Sequence, residues 1–164
     1  MKKIFITLLI AMYVIFLQGC PSVPVTQEPY YGDGEFGPIV KEINILIAMN
    51  QPSMDKFLTE VHKFGVILFD SSIIDKPEVG KRQKLYSVKA ADIAKRLGNI
   101  KVANSVVLGA LFTALCDGYL RGEDKNDFSA VFEEAIIQQF KNKTEVIELN
   151  LEAFRLGSTS VVRH

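Results

Sequence analysis

The polar side chains best placed to bind a ligand are Asp70, Ser71 and Ser72, which directly follow the apolar run at residues 66–69. Such a run is typical of a buried strand, and open α/β sheets bind their ligands at the carboxyl ends of their strands. A carboxylate and two hydroxyls at that point could hold a polar ligand. The same residues are also typical of a plain turn that caps nearby backbone groups, and this second interpretation is favoured.

Asn50, Gln51 and Pro52 take the equivalent place after an earlier apolar run at residues 43–49. Pro52 suits the first position of a helix, so the N-terminus of that helix could face an anion. A structural capping role for this segment is the favoured alternative.

Few other residues could catalyse a reaction or bind a metal. His62 and His164 are the only histidines, one on a predicted surface helix and one at the end of the sequence, so we expect neither a metal site nor a Ser-His-Asp triad. The only cysteines, Cys20 and Cys116, lie far apart, which excludes a disulfide framework, a CxxC pair and a cysteine-held iron–sulfur cluster. Cys116 is predicted to be a buried small hydrophobe rather than a nucleophile.

The overall charge and the remaining motifs indicate no chemistry on this chain. Basic and acidic residues both number 19, and no basic stripe is present, so we expect no nucleic-acid partner. The sequence has no GxGxxG, no P-loop and no suitably spaced carboxylate pair. Asn142, Lys143 and Thr144 fit an N-glycosylation triplet, a pattern that is common by chance. The residues therefore predict no catalytic and no metal-binding residue.

The elements that would position these groups follow an α/β pattern. Residues 43–49 and 66–69 are predicted as buried strands of a largely parallel sheet. A helix should join them, because apolar residues recur at helical spacing: Met54, Phe57, Leu58 and Val61. Residues 85–88 are predicted as a third strand, and residues 90–97 as a helix stopped by Gly98. The first two strands and their helix would form a βαβ unit.

The second half of the chain is predicted to be helical. Residues 102–115 leave hardly any polar face, so this helix must be buried nearly all round, in the domain or against another subunit. It is too short to span a bilayer. Helices over residues 128–140 and 144–157 should follow, with a frayed tail after Gly157. The predicted fold is a three-layer α/β/α sandwich with its helices gathered toward the C-terminal end.

The N-terminal part carries a signal-like segment. Residues 1–20 combine two lysines, an apolar run and a lipobox-like end, at which Cys20 would be lipidated after cleavage. A mis-called start or a frameshifted segment is the alternative. Residues 21–37 are predicted as a linker, residues 38–157 as the folded domain and residues 158–164 as a tail.

The folded domain resembles the gamma subunit, or the fused gamma domain, of pyruvate, 2-oxoglutarate and 2-oxoisovalerate (ketoisovalerate) ferredoxin oxidoreductases. Four ordered blocks carry the similarity: residues 45–57, 65–75, 90–110 and 148–157. The third block is the most recognisable and includes the turn at Gly98 and Asn99. The resemblance implies a Rossmann-like α/β/α fold. The Gly-Gly-Gln-Gly turn and the Tyr-Gly-Pro-Glu-x-Arg-Gly-Gly stretch that usually open this family do not occur, so the sheet is expected to be incomplete at its N-terminal side.

The resemblance implies a cytoplasmic, non-catalytic gamma-type subunit, with a truncated N-terminus. The complex would decarboxylate a 2-oxoacid oxidatively with coenzyme A, giving an acyl-CoA and reduced ferredoxin. Companion alpha, beta and ferredoxin-like subunits would bind thiamine diphosphate and the iron–sulfur clusters, and the gamma domain would contribute assembly and part of the coenzyme A surroundings. Two alternatives stay open: an exported, membrane-anchored lipoprotein that uses the same fold as a binding or structural module, and a degraded gene product without function.

Overall fold

The computed structural model describes residues 43–118, 125–141 and 143–164, so the predicted signal, the linker and Cys20 lie outside the described residues. The elements follow in the order β1 (Ile43–Ala48), α1 (Gln51–Phe57), β2 (Val61–Asp70), β3 (Lys84–Val88), α2 (Ala90–Arg96), α3 (Ala103–Gly118), α4 (Lys125–Gln139), α5 (Thr144–Ser160) and β4 (Val162–Arg163). Single 3-10 turns follow α1 at Leu58–Glu60 and precede α3 at Ile100–Val102.

Within the described residues the sheet has the strand order β1-β2-β3-β4. β2 pairs in parallel with both β1 and β3, whereas β4 runs antiparallel to β3. Because α1 connects two adjacent parallel strands, the predicted βαβ unit is confirmed. The carboxyl ends of β1, β2 and β3 consequently lie along one edge of the sheet.

Helices or loops cover both faces of the sheet, which confirms the predicted layered α/β fold. One face forms a hydrophobic cluster with Met54 of α1 and Ile74 of the loop after β2. The strand residues of this cluster are Leu46, Ala48, Val61, Ile67, Phe69 and Leu85. The opposite face carries α3, which packs on β2 and β3. Tyr86 projects from that face, and its hydroxyl donates to Asp117 Oδ2 of α3 over 2.8 Å.

Helix α3 is buried nearly all round, as its composition predicts, with Val106, Ala110 and Ala114 fully enclosed. The segment Ile100–Asp117 is long and apolar enough to cross a membrane by length and composition. However, 67% of it is buried inside the domain, which is what a core helix of a globular fold also shows. Helix α3 is therefore buried against the sheet and the other helices of this chain.

The helical layer is held together by a close helix crossing and an aromatic cluster. Gly109 of α3 and Gly157 of α5 lie where the two backbones touch, and the hydroxyl of Ser105 donates to Asn150 Oδ1 across the same interface. Four rings from α3, α4 and α5 pack with centroid separations of 5.1 to 5.9 Å: Phe112, Phe128, Phe132 and Phe154. These edge-to-face and offset contacts fix α4 on the other two helices.

The predicted helix through Val61 is wrong at its C-terminal end. Val61 is the first residue of β2, so His62 lies on a strand and not on a surface helix. The reason is that Val61 joins the apolar cluster from the strand, and Gln83 Nε2 bonds the carbonyl oxygens of Val61 and His62 at 3.0 and 3.3 Å. An apolar residue seven positions after Met54 fits the helical period, but the pairing of Val61 with Ile43 places it in the sheet.

The predicted frayed tail after Gly157 is also wrong. Helix α5 continues to Ser160, and β4 then pairs with β3 through Tyr86 opposite Arg163 and Ser87 opposite Val162. The backbone N–H of His164 donates to Leu85 O over 3.0 Å. Edge pairing with β3 supplies the order that the local sequence does not, because the partner lies in a distant part of the chain.

Candidate functional site

Asp70 caps helix α2 from the end of β2. Its carboxylate accepts the backbone N–H groups of Ser72 and Ala90 on Oδ1, at 2.9 and 3.0 Å, and that of Ala91 on Oδ2, at 3.0 Å. Asp70 is only 1% exposed, and its bonds to Ala90 and Ala91 are buried. A carboxylate at a helix N-terminus satisfies orphan N–H donors and complements the helix dipole. Asp70 therefore acts as a structural cap.

Ser72 extends this cap, because its Oγ accepts the N–H of Asp92 over 3.2 Å. The first three N–H groups of α2 are thus bonded to side chains of the β2 turn. Of the three predicted ligand contacts, Asp70 and Ser72 confirm the favoured alternative of a capping turn. Ser71 lines a cavity at the carboxyl ends of β2 and β3.

The segment after β1 is likewise structural. Asn50 Oδ1 accepts the N–H of Ser53 over 2.8 Å, as an N-cap residue does. Gln51 Nε2 donates to Asp55 Oδ1 at 2.7 Å, and its Oε1 accepts the N–H of Asp75 at 3.0 Å. The favoured capping role is confirmed, and Gln51 also fixes the loop at Asp75, which borders the cavity.

The cavity has a volume of about 500 Å³, within the range of small-molecule sites. Its lining includes the nearly fully buried Phe69, Val88 and Ile93 and the exposed Val162 of β4. Three serines also line it: Ser71, Ser87 and Ser160. Open α/β folds usually bind their ligands at this place, the carboxyl edge of the strands.

His164 closes one side of the cavity. Its ring stacks on Phe69 with 6.3 Å between centroids, and its Nε2 lies 2.9 Å from the Ser87 hydroxyl. Burial, and secondarily the positive charge of Lys76, lower the pKa of His164 below its usual value of 6.5. The imidazole is therefore kept neutral near pH 7, when it can either donate to the Ser87 hydroxyl or accept from it.

Three cationic side chains border the cavity: Lys76 from the loop after β2, Lys89 just before α2, and Arg96 at the end of α2. Against them, the described lining contains one carboxylate, Asp75. Among the described residues none of these three cations forms an ion pair with a carboxylate. The cavity therefore carries an excess of positive charge.

Comparison with known proteins identifies the family to which this fold belongs. Residues 33–160 match the family model described as pyruvate ferredoxin/flavodoxin oxidoreductase. The chain belongs to that family. It is 32% identical over 127 residues to the ketoisovalerate oxidoreductase subunit VorA of Methanothermobacter thermautotrophicus. The alignment covers 77% of this chain and 24% of that relative, so the chain spans about a quarter of its length.

Solved structures of this oxidoreductase family share the fold. The gamma subunit of a keto/oxoacid ferredoxin oxidoreductase from Geobacter sulfurreducens superposes with a TM-score of 0.56 at 26% identity, covering 71% of this chain and 63% of that one. A 2-oxoglutarate:ferredoxin oxidoreductase chain from Magnetococcus marinus gives a TM-score of 0.56 at 21% identity, covering 80% and 21%. The predicted relationship to the gamma-type fold of the oxidoreductase family is confirmed.

The fold brings together only some of the residues that the sequence predicts as candidate site residues. Ser71 and His164 share the cavity, whereas His62 lies on β2, where its Nδ1 accepts the N–H of Phe64 over 3.3 Å. Cys116 is 8% exposed on α3, which confirms its predicted burial. The described residues contain no group of three or more potential metal ligands from histidine, cysteine and acidic side chains. The glycosylation triplet includes Asn142, which lies outside the described residues.

The three cations of the cavity wall are the functional candidates that the sequence did not reveal. Lys89 directly precedes α2 and Arg96 is its last residue, so these two cations lie at the two ends of that helix. The sequence carries no signal that brings them together with Lys76, which lies in the loop after β2 next to Asp75.

Proposed function

We propose that this chain is a non-catalytic, gamma-type subunit of a 2-oxoacid:ferredoxin oxidoreductase. The complex would convert a 2-oxoacid and coenzyme A to an acyl-CoA and carbon dioxide while reducing ferredoxin. The observation that carries this proposal is the family match over residues 33–160. The gamma-subunit fold of the described domain supports it.

The cofactors of the reaction belong, in this proposal, to companion subunits. A cysteine-held iron–sulfur cluster takes up to four thiolates, whereas this chain has two cysteines, of which Cys116 is enclosed in α3. Thiamine diphosphate and the clusters would therefore be bound by alpha, beta and ferredoxin-like partners. The part of this chain would be to give the assembly a rigid α/β body, and the proposed location is the cytoplasm, where ferredoxin chemistry takes place.

The rigidity of that body has a visible source. The helix crossing at Gly109 and Gly157 brings two backbones into contact, and the buried Ser105–Asn150 bond fixes their register. Asp70 ties the β2 turn to α2 through two buried hydrogen bonds, from the N–H groups of Ala90 and Ala91. A subunit whose surface keeps one shape loses little conformational entropy on assembly, which favours a stable complex.

The test is native purification of the full chain through a C-terminal tag from fractionated host cells. We expect the soluble fraction to contain the chain together with thiamine- and cluster-binding subunits. The purified complex should reduce ferredoxin only when coenzyme A and a 2-oxoacid are both supplied. Pyruvate, 2-oxoglutarate and 2-oxoisovalerate, assayed side by side, would identify the substrate. Recovery of the chain without such companions would contradict the proposal.

A second candidate function rests on the segment Leu17, Gln18, Gly19 and Cys20, which resembles a lipobox. In that case the family domain would be an exported binding or structural module anchored by lipid on Cys20. Mass spectrometry of the N-terminus in the same preparation separates the two. A diacylglyceryl Cys20 in the membrane fraction, abolished in C20S, would support the lipoprotein and refute the cytoplasmic subunit.

A further inference from the structure

The start of β2 leaves the regular sheet pairing and projects one aromatic side chain into solvent. Ile43 of β1 pairs with Val61 and Ile45 pairs with Val66, so β2 advances five residues where β1 advances two. The three extra residues form a bulge, in which Phe64 is 51% exposed. Bulges re-aim side chains and are frequent next to functional sites. The sheet therefore holds Phe64 away from the apolar core at a defined position.

Local contacts fix the shape of this bulge. The N–H of Phe64 donates to His62 Nδ1 over 3.3 Å, and Gln83 Nε2 donates to the carbonyl oxygens of Val61 and His62. A Cβ atom at Gly65 would lie 2.6 Å from Val61 Cγ1 and 3.0 Å from His62 O, so the backbone approaches these atoms too closely for any other residue. A surface that is already ordered loses little conformational entropy when a partner covers it.

Two cations lie over the Phe64 ring. Lys63 Nζ is 5.4 Å and Arg82 Cζ is 5.6 Å from the ring centroid. Both side chains are exposed, and among the described residues neither forms an ion pair with a carboxylate. The bonds that Gln83 makes to β2 bring the neighbouring Arg82 to the bulge. These three residues, Lys63, Phe64 and Arg82, are called the Phe64 patch.

Phe57 provides a comparison within the same domain. Lys56 Nζ lies 5.0 Å from the Phe57 ring centroid, but the Phe57 ring packs against the apolar cluster of the sheet. Phe64 is not part of that cluster and is half exposed. A cation over a ring therefore does not by itself indicate an interface. The Phe64 patch differs because the fold of the described residues leaves its ring largely unburied.

We propose that the Phe64 patch binds an acidic face of another protein chain. The Phe64 ring packs on an apolar side chain of that face, and Lys63 and Arg82 pair with its carboxylates. Aromatic residues and arginine are the types that most often anchor protein interfaces.

Other classes of partner fit the Phe64 patch less well. The chain has 19 basic and 19 acidic residues and no basic stripe, which disfavours a nucleic acid. One half-exposed ring buries too little apolar surface to anchor a chain on a membrane. A protein face needs only a small apolar centre with charges around it, which is what the Phe64 patch complements.

The inference goes beyond the proposed function and is tested by a separate measurement. The full chain is produced in its host cells with the photocrosslinking residue p-benzoylphenylalanine in place of Phe64. After irradiation, mass spectrometry of the crosslinked peptides maps the captured residue. We expect a crosslink to another protein, at a segment rich in aspartate and glutamate.

Charge variants decide whether that crosslink depends on the Phe64 patch. R82E places a carboxylate against those of the partner and should lower the crosslink yield at least about tenfold. K101E makes the same charge change at an exposed lysine of the turn before α3, and the yield should stay within about twofold. Replacing the mapped carboxylate of the partner by lysine should restore the crosslink to R82E. Circular dichroism of both variants checks that the domain is folded.

Four results would overturn the proposal: no crosslink to another protein, a crosslink confined to this chain, capture of nucleic acid or lipid instead, or equal yields in R82E and K101E. Each is distinguishable from failure of the proposed function. Native purification without thiamine- and cluster-binding companions would refute the subunit assignment, whereas loss of the charge-dependent crosslink would refute only the role of the Phe64 patch.

Discussion

The substitution Gly109→Ala tests whether the crossing of α3 and α5 holds the domain together. A Cβ atom at Gly109 would lie 1.9 Å from Phe154 O and 2.7 Å from Ser158 N. A Cβ at Gly157 would lie 1.9 Å from Val106 O. All three neighbours are backbone atoms, so no side chain can rotate away to make room. Either substitution therefore forces the two helix axes apart.

The size of the effect follows from that geometry. Real Cβ atoms are essentially never found closer than 3.0 Å to such neighbours, so the backbones must separate by about 1 Å. A gap of that size forfeits about a quarter to a half of the dispersion energy of each contact across the interface. Overpacking of this kind costs about 3 kcal/mol or more, and the better helix propensity of alanine returns about 1 kcal/mol. We expect a net loss of at least about 2 kcal/mol in the free energy of unfolding.

Urea unfolding of the full chain, followed by circular dichroism, measures this loss. Gly80→Ala is the control, because a Cβ there would meet only the Gln83 side chain, at an ordinary contact distance of 3.4 Å, and should change stability by less than about 0.5 kcal/mol. The double variant G109A/G157A should lose less than the sum of the single variants, because one separation relieves both clashes. A G109A chain as stable as the parent would refute the reasoning.

Three further predictions concern polar groups. D70A should destabilise the domain by about 3 kcal/mol in the same urea assay, because it leaves buried backbone N–H groups without an acceptor; a loss below about 0.5 kcal/mol would contradict the capping role. NMR titration should give Asp117 a pKa below 3.8, because the Tyr86 hydroxyl donates to it, and Y86F should raise that pKa. The contribution of Asp117 to stability is then present above pH 3.8 and lost as the pH falls through the folded-state pKa. His164 should titrate with a pKa below 6.5, and this pKa should be higher in K76Q. Because the folded state disfavours the protonated imidazole, the free energy of unfolding should fall as the pH drops from 6.5 toward the folded-state pKa.

Apolar runs and glycine positions in the sequence predicted two strands and two helices of the fold. Residues 43–48 of the first predicted strand and residues 66–69 of the second lie in the parallel strands β1 and β2, because continuous apolar runs occur where both faces of a sheet are covered. Gly98 ends α2 with a φ of 78°, the left-handed conformation in which glycine is favoured. The helix at residues 102–115 is buried as its lack of a polar face requires.

Features that depend on distant partners were not predictable. Val61 fits a helical period from Met54, yet it pairs with Ile43 in the sheet. β4 has two residues, too few for a sequence signal, and exists because β3 offers an open edge. The cationic cavity combines Lys76 of a loop with Lys89 just before α2 and Arg96 at its end, so its charge becomes visible only when the chain is folded.

The late position of β4 has a consequence for the order of folding. His164 bonds Leu85 and Ser87, almost eighty residues earlier, after the four intervening helices α2 to α5. Contacts of such high sequence separation form slowly, because a long loop must close first. During synthesis, β1 to β3 leave the ribosome well before their last partner strand, and the edge of β3 stays open in that interval. The side of the cavity formed by His164 is thus completed only after the helical half has folded, and a nascent chain without it exposes an unpaired strand edge.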